Sequence, residues 1–276
     1  MSLANMLRLT LMLALLVGIF LAIGYFIGGV TGMTIALVIA FLMNFLAYWF
    51  SDKIVLAMYG AKPLENEKIE KMVRKLAEKA KIGMPKLYIV ETPQPNAFAT
   101  GRDKKHCAIA VTTGLLETLN DKEIEGVLAH EVAHIKNRDM LISTIAATIA
   151  GAISYIAEIF WWSSIFGEEE EKPIWAVIPV IILAPIAALL IQLAISRGRE
   201  FLADETGAKL TGKPEALASA LRKISQIAEE NPLDHGSVAT SHMWIVNPFK
   251  GDFFVKLFST HPPVEERIKR LEMLKV

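Results

Sequence analysis

His130-Glu131-Val132-Ala133-His134 is the stretch that decides how this chain is read. On an α-helix, residues four apart lie one turn above each other on the same face. Two imidazoles at that spacing can reach one zinc ion, and Glu131, beside the first, can take a proton from a water held there. The bland alternative is a pair of surface histidines next to a solvated glutamate. The setting of the motif argues against it. Just upstream, Asn120-Asp121-Lys122-Glu123 reads as a helix start, with Asn at the N-cap and Glu three residues on. Ile124, Val127, Leu128 and Ile135 then recur at helical spacing, and Arg138 and Asp139 are the last charges of the helix.

Toward the N-terminus, residues 63–82 carry Ile69, Val73, Leu76 and Ala80 at helical spacing among lysines and glutamates, which predicts an amphipathic helix ended by Gly83-Met84-Pro85. Residues 86–90 read as a short strand. Residues 95–100 and 107–113 read as two more, joined into a hairpin by the polar turn Gly101-Arg102-Asp103-Lys104-Lys105. Before residue 51 the composition changes. Residues 6–29 contain one charge, Arg8, and the next is Asp52. A second apolar run fills 33–50, with Gly28-Gly29-Val30-Thr31-Gly32 as a tight turn between the two. A signal peptide has a shorter apolar core, so two membrane spans are expected.

Past the motif, residues 140–166 are apolar apart from Glu158. An acidic loop follows at 167–172, and a fourth apolar run at 174–195. Helices are expected at 199–210 and 214–229, a loop-rich stretch at 231–260, and an amphipathic helix at 263–274. The chain is 53% hydrophobic, with 29 basic and 29 acidic residues. Zero net charge and no basic stripe give no case for nucleic acid as a partner. The one cysteine, Cys107, allows neither an intramolecular disulfide nor a thiolate zinc site. Arg8, Lys53 and Lys62 flank the first two spans, whereas the loop between the last two holds four glutamates and one lysine. That bias places the polar parts on the cytoplasmic side of the cell membrane. The expected fold is mainly α with a small β-sheet, in a multi-pass protein of the lipid bilayer. Residues 1–50 form two transmembrane helices, 51–139 the first part of a catalytic domain, 140–195 two further spans, and 196–276 its second part.

A catalytic zinc needs a third protein ligand and one open position. Of the six histidines, His106 lies in a polar turn, and His235 and His242 lie in the loop-rich stretch. Glu200 and Asp204 are better candidates, one turn apart on a helix that begins where the fourth span ends. Glu200 could ligate zinc, and Asp204 could accept the other ring N–H of a ligand histidine and fix its tautomer. Read alone, the same charges would serve as an anchor at the membrane edge. The first helix leads into span three and the second leaves span four, so the zinc is expected close to the membrane surface.

Three blocks of the chain are similar to those of the HtpX-type membrane metallopeptidases, relatives of the prenyl-protein protease Ste family. They are residues 130–139 (HEVAHIKNRD), 196–204 (SRGREFLAD) and 259–267 (STHPPVEER), with 95–101 (PNAFATG) as a fourth. Together with the four apolar runs the resemblance covers nearly the whole chain, with no departure at a functional position. It implies a zincin-like (gluzincin) catalytic domain with one zinc ion per chain, held by His130, His134 and Glu200. It also implies that Glu131 is the general base, that Asp204 supports a ligand, and that His261 helps stabilise the transition state. The stretch holding Asn96 and Phe98 is similar to an edge strand that pairs with extended substrate. Arg197 and Arg199 are the candidates for oxyanion or structural support. Polypeptides, in particular misfolded or damaged membrane proteins, are the substrates that the resemblance suggests.

Three rival readings are weaker. An intramembrane protease would bury its motif helix in lipid, but this one carries Lys122, Glu123, Glu125, Lys136 and Arg138. A di-iron carboxylate protein needs two Glu-x-x-His pairs, and the chain has one such fit, Glu131 with His134. A zinc-binding membrane protein with a structural site and no protease activity would be expected to close the metal with four ligands, usually cysteine-rich. A closed set of His130, His134, Glu200 and His261 stays open at this stage.

Overall fold

A computed structural model describes residues 3–139, 197–232, 244–246 and 262–276. The third and fourth apolar runs, the acidic loop, His235, His242 and His261 lie outside the described residues. The first helix, α1 (Leu3–Met58), takes in both N-terminal apolar runs and loses helical geometry at Gly28 and Gly29. Gly29 has a φ of 55°, a conformation that glycine adopts without penalty, so the break falls within the expected turn. Side chains are described for only part of α1, and among the described residues no helix is long and apolar enough to cross a membrane. Those that are described include a strongly exposed apolar band, with Ile35, Val38, Phe41, Leu42, Phe45 and Trp49 among its members.

Strand β1 (Lys62–Pro63) and helix α2 (Glu67–Ala80) replace the single helix expected over 63–82. Pro63 pairs with Tyr88 in the sheet, and the helix waits for Asn66, whose side chain accepts from the Lys68 and Ile69 amides. A two-residue strand is too short to leave a periodic signal. Strands β2 (Lys86–Val90), β3 (Ala97–Gly101) and β4 (Cys107–Thr112) fall where expected, and β3 and β4 form the antiparallel hairpin. The sheet order is β1-β2-β4-β3, with β2 parallel to β4 and β3 at an edge. Covered on both faces, β4 is buried at every position, which explains its unbroken apolar run Cys107-Ala108-Ile109-Ala110-Val111.

Alternation along β3 and β4 divides two layers. Ala97, Ala99, Cys107, Ile109 and Val111 face the main core, with Ile69, Val73 and Leu76 of α2. Phe98, Ala108 and Ala110 face the other way, onto Val55 and Leu56 of α1. A short helix, α3 (Thr113–Thr118), begins at Thr112, whose side chain accepts from the Leu115 amide; a single turn and a half left no pattern in the sequence. It leads to α4 (Asp121–Asn137), the helix of the His-Glu motif, where both halves of the capping box at Asn120 and Glu123 are formed. Three more helices complete the described fold: α5 (Arg197–Thr211), α6 (Pro214–Glu230) and α7 (Val264–Met273), each within a few residues of its expected bounds.

Helix α4 lies at the centre, packed on α2, α5, α6 and β3. Two glycines set how closely its neighbours approach. A Cβ on Gly126 would come 2.9 Å from the Leu217 nitrogen of α6, and one on Gly207 of α5 would come 2.9 Å from the His130 nitrogen.

Candidate metal centre

His130 and His134 project from one face of α4, with ring centroids 4.6 Å apart and planes nearly perpendicular. Their Nε2 atoms are 3.1 Å apart. Glu200, on the first turn of α5, straddles them, with Oε2 3.7 Å from His130 Nε2 and Oε1 3.5 Å from His134 Nε2. One ligand atom from each residue lies within 4.8 Å of the other two, so the three could hold a metal ion together. Zinc–ligand bonds of about 2.0–2.1 Å in a tetrahedron put neighbouring ligand atoms about 3.3 Å apart, close to this spacing. Among the described residues, the three donors are two imidazoles and one carboxylate, a set suited to zinc.

Charge around the cluster also fits a cation. Glu131, Asp139, Glu200 and Asp204 are all buried, and Arg267 is the buried side chain of opposite sign among the described residues. Burial depresses His134, but Glu200, Asp139 and Glu131 outweigh it and hold the imidazole up at about 9. His130 is instead held below its ordinary value by burial, against the opposing pull of Asp204. Its Nδ1 lies 2.9 Å from Asp204 Oδ1. On the other side of the same ring, Nε2 faces Glu200.

Glu131 accepts a hydrogen bond from the Ala99 N–H of β3 and feels the charges of His134 and Glu200. Burial raises its carboxyl to about 7, aided by Glu200 and opposed by His134, by the Ala99 N–H that donates to it, and by Arg267. A carboxylate near 7 is suited to accept and return a proton at neutral pH.

Other expected residues are placed as follows. Asn96 and Phe98 are buried: the Asn96 Oδ1 accepts from the Ile245 amide at 2.9 Å, and Phe98 packs 4.8 Å from the Tyr59 ring. Arg199 is half-buried on the first turn of α5, beside Glu200. Arg197 opens the same helix.

Arg267, the last residue of the block at 259–267, also reaches this cluster. It is fully buried and donates from Nε and Nη2 to the two oxygens of Asp204, each at 2.8 Å, and from Nη1 to the Ile245 carbonyl at 3.0 Å. Its Nη1 also lies 3.7 Å from Glu200 Oε2. This pairing overcomes burial and draws Asp204 down to about 2. A signal was available: Val264, Arg267, Ile268 and Leu271 follow the i, i+3, i+4, i+7 spacing of a buried stripe, and a charge on such a stripe needs a partner. Asp139 was likewise read only as a helix-end charge. Its Oδ2 lies 3.7 Å from His134 Nδ1, on the chain just past the left-handed cap at Arg138.

The peptidase family M48 matches residues 63–275, which span the sheet, the motif helix and all three later helices. The chain belongs to peptidase family M48. Among curated relatives, the "Protease HtpX homolog" of Pyrococcus furiosus is 57% identical over 84% of this chain and 82% of its own length. The homologue of Thermodesulfovibrio yellowstonii is 53% identical over 84% of this chain and 84% of its own. Among solved structures, the crystal structure of S. mikatae Ste24p superposes with a TM-score of 0.53 at 21% identity. It covers 97% of this chain, which spans 65% of that one, and at this identity the likeness concerns the fold. The HtpX resemblance read from the four sequence blocks therefore stands. As an M48 member the chain is a metalloprotease, and it contains a two-histidine, one-glutamate cluster that could hold a metal ion.

Proposed function

We propose that the chain is a zinc-dependent endopeptidase anchored in the cell membrane, with its site on the cytoplasmic side. The buried triangle of His130, His134 and Glu200 with Glu131 at its rim carries this reading. When bound there, zinc would supply the positive charge that polarises a peptide carbonyl and acidifies a water. Glu131 takes the water proton and passes it to the departing amine. Asp204 holds His130 in one tautomer, and Arg267 holds Asp204. His261, and Arg197 or Arg199, are proposed to steady the oxyanion.

Edge strand β3 suits an extended substrate. The Thr112 amide donates to the Asn96 carbonyl at 2.9 Å, and hydrogen-bonded pairs alternate along an antiparallel ladder. Ala97 and Ala99 therefore turn their backbone groups away from β4, in keeping with the Ala99 N–H that reaches Glu131. Asn96 and Phe98 would then serve substrate from behind, by fixing the strand that binds it.

Membrane anchorage draws on the exposed apolar band of α1 and on the uncharged stretch from residue 9 to 51. Water would penalise such a band, since apolar burial is worth about 25 cal/mol per Å². The four spans, the division of the catalytic domain into 51–139 and 196–276, and misfolded membrane proteins as substrates belong to the same proposal. The test pairs the detergent-purified protein with its Glu131→Gln variant. Both are expected to bind one zinc, and only the parent to cleave casein. Zinc in both with cleavage by neither would sink the reading.

A further inference from the structure

We propose that the pocket between the C-terminal end of α1 and the β2–β4 face of the sheet binds the phosphate headgroup of an anionic lipid; this rests on the membrane reading above. The cavity holds about 390 Å³. Four cationic side chains line it, Lys53, Lys86, Arg102 and Lys105, against one lining carboxylate, Asp52. A second carboxylate nearby, Asp103, accepts from the Lys105 and His106 amides, meets the His106 ring, and lies 3.8 Å from Arg102 Nε. Arg102 donates to the Trp49 carbonyl at 3.3 Å and lies 4.9 Å over the Trp49 ring. That pins a guanidinium at the mouth of the pocket beside an indole, the residue type favoured at membrane interfaces.

One observation selects a lipid over a free anion. The exposed apolar band of α1, including Phe41, Phe45 and Leu46, runs directly into Trp49 and Phe50 at the pocket wall. Acyl chains lying along that band would bring their headgroup to the four cations. A cation cluster next to an apolar band is the arrangement that recognises anionic headgroups. None of these residues takes part in the metal centre.

Thermal unfolding of the full-length Glu131→Gln protein in neutral detergent, titrated with short-chain phosphatidylglycerol, short-chain phosphatidylcholine or inorganic phosphate, tests the assignment. Phosphatidylglycerol is expected to raise the midpoint, and the other two to leave it unchanged. Lys105→Gln and Arg102→Gln should each weaken the phosphatidylglycerol response about tenfold, and Lys105→Gln should match the parent midpoint without lipid, because its side chain is at the surface. An equal response to phosphate would overturn the lipid assignment in favour of a free-anion site. An unchanged phosphatidylglycerol response in both variants would overturn the pocket. Flotation with pure phosphatidylcholine vesicles separates the underlying reading: a protein that does not associate with them is not membrane-anchored, whatever the pocket does.

Discussion

Asp204 answers to two partners, and its position between them shows how the metal centre is held. One oxygen meets His130 Nδ1 and Arg267 Nη2, and the other meets Arg267 Nε. A neutral amide at this position would keep the shape but lose the charge that draws the His130 N–H and balances a buried guanidinium. Asp204→Asn is therefore expected to lower metal affinity about 10–100-fold. Competitive titration with a zinc chelator reads this directly, and parent-like affinity would mean that Asp204 does not orient His130. The pairing of His130 with His134 was legible at this scale, because residues four apart on a helix share one face. Arg267 was not, because the partner that makes a buried arginine tolerable lies 63 residues away in the chain.

Helices α4 and α5 meet at Gly207, where no atom beyond the backbone fits. In an isolated helix, alanine would be preferred to glycine by about 1 kcal/mol. Here its methyl would sit 2.9 Å from the His130 nitrogen and 3.0 Å from the Ala129 carbonyl carbon, backbone atoms that cannot swing aside. Overpacking of this kind typically costs about 1–3 kcal/mol, so the clash wins. Gly207→Ala should both destabilise the fold and pull Glu200 away from the histidines, seen as lost zinc in the purified variant. At the other end of α4, Glu123 accepts from the Asn120 amide, Ser219 and Lys223, at 2.9, 2.7 and 2.9 Å. Burial opposes its ionisation, yet the Lys223, Asn120 and Ser219 hydrogen bonds prevail and hold its carboxyl below the ordinary glutamate range. A depressed value in the folded state means stabilisation that is full at neutral pH and lost as the pH falls through that value. Glu123→Gln should thus cost about 1–2 kcal/mol at neutral pH, and the gap to the parent should close on acidification. Urea unfolding at a series of pH values measures it; a gap independent of pH would show that the charge is not what matters.

Over the whole molecule, a metal held by His130, His134 and Glu200 would join elements that are distant in sequence, α4 with α5, and through Asp204 and Arg267 also α7. A ligand bound only by the folded state adds stability, about 3 kcal/mol at a hundredfold excess over Kd. Removing zinc with a chelator is expected to abolish casein cleavage and lower the unfolding midpoint by about 5–10 °C, and returning zinc should restore both. Loss of activity with no change in midpoint would mean that the described fold does not depend on the ion for cohesion.

Local order was set by the sequence: the Asn120–Glu123 capping box, the apolar stripe of α2, the β3–β4 hairpin and the turn at Gly28–Gly29 each follow from residues near one another in the chain. Such features depend on periodicity and backbone preference, which need no distant partner. Tertiary structure decided what depends on encounters across the chain. Pro63 joined the sheet instead of a helix because Tyr88 was there to pair with. The orienting contact of Asp204, the burial that lifts Glu131 to about 7, and the assembly of a basic pocket beside Trp49 all arise only when separate segments share one dielectric and one space.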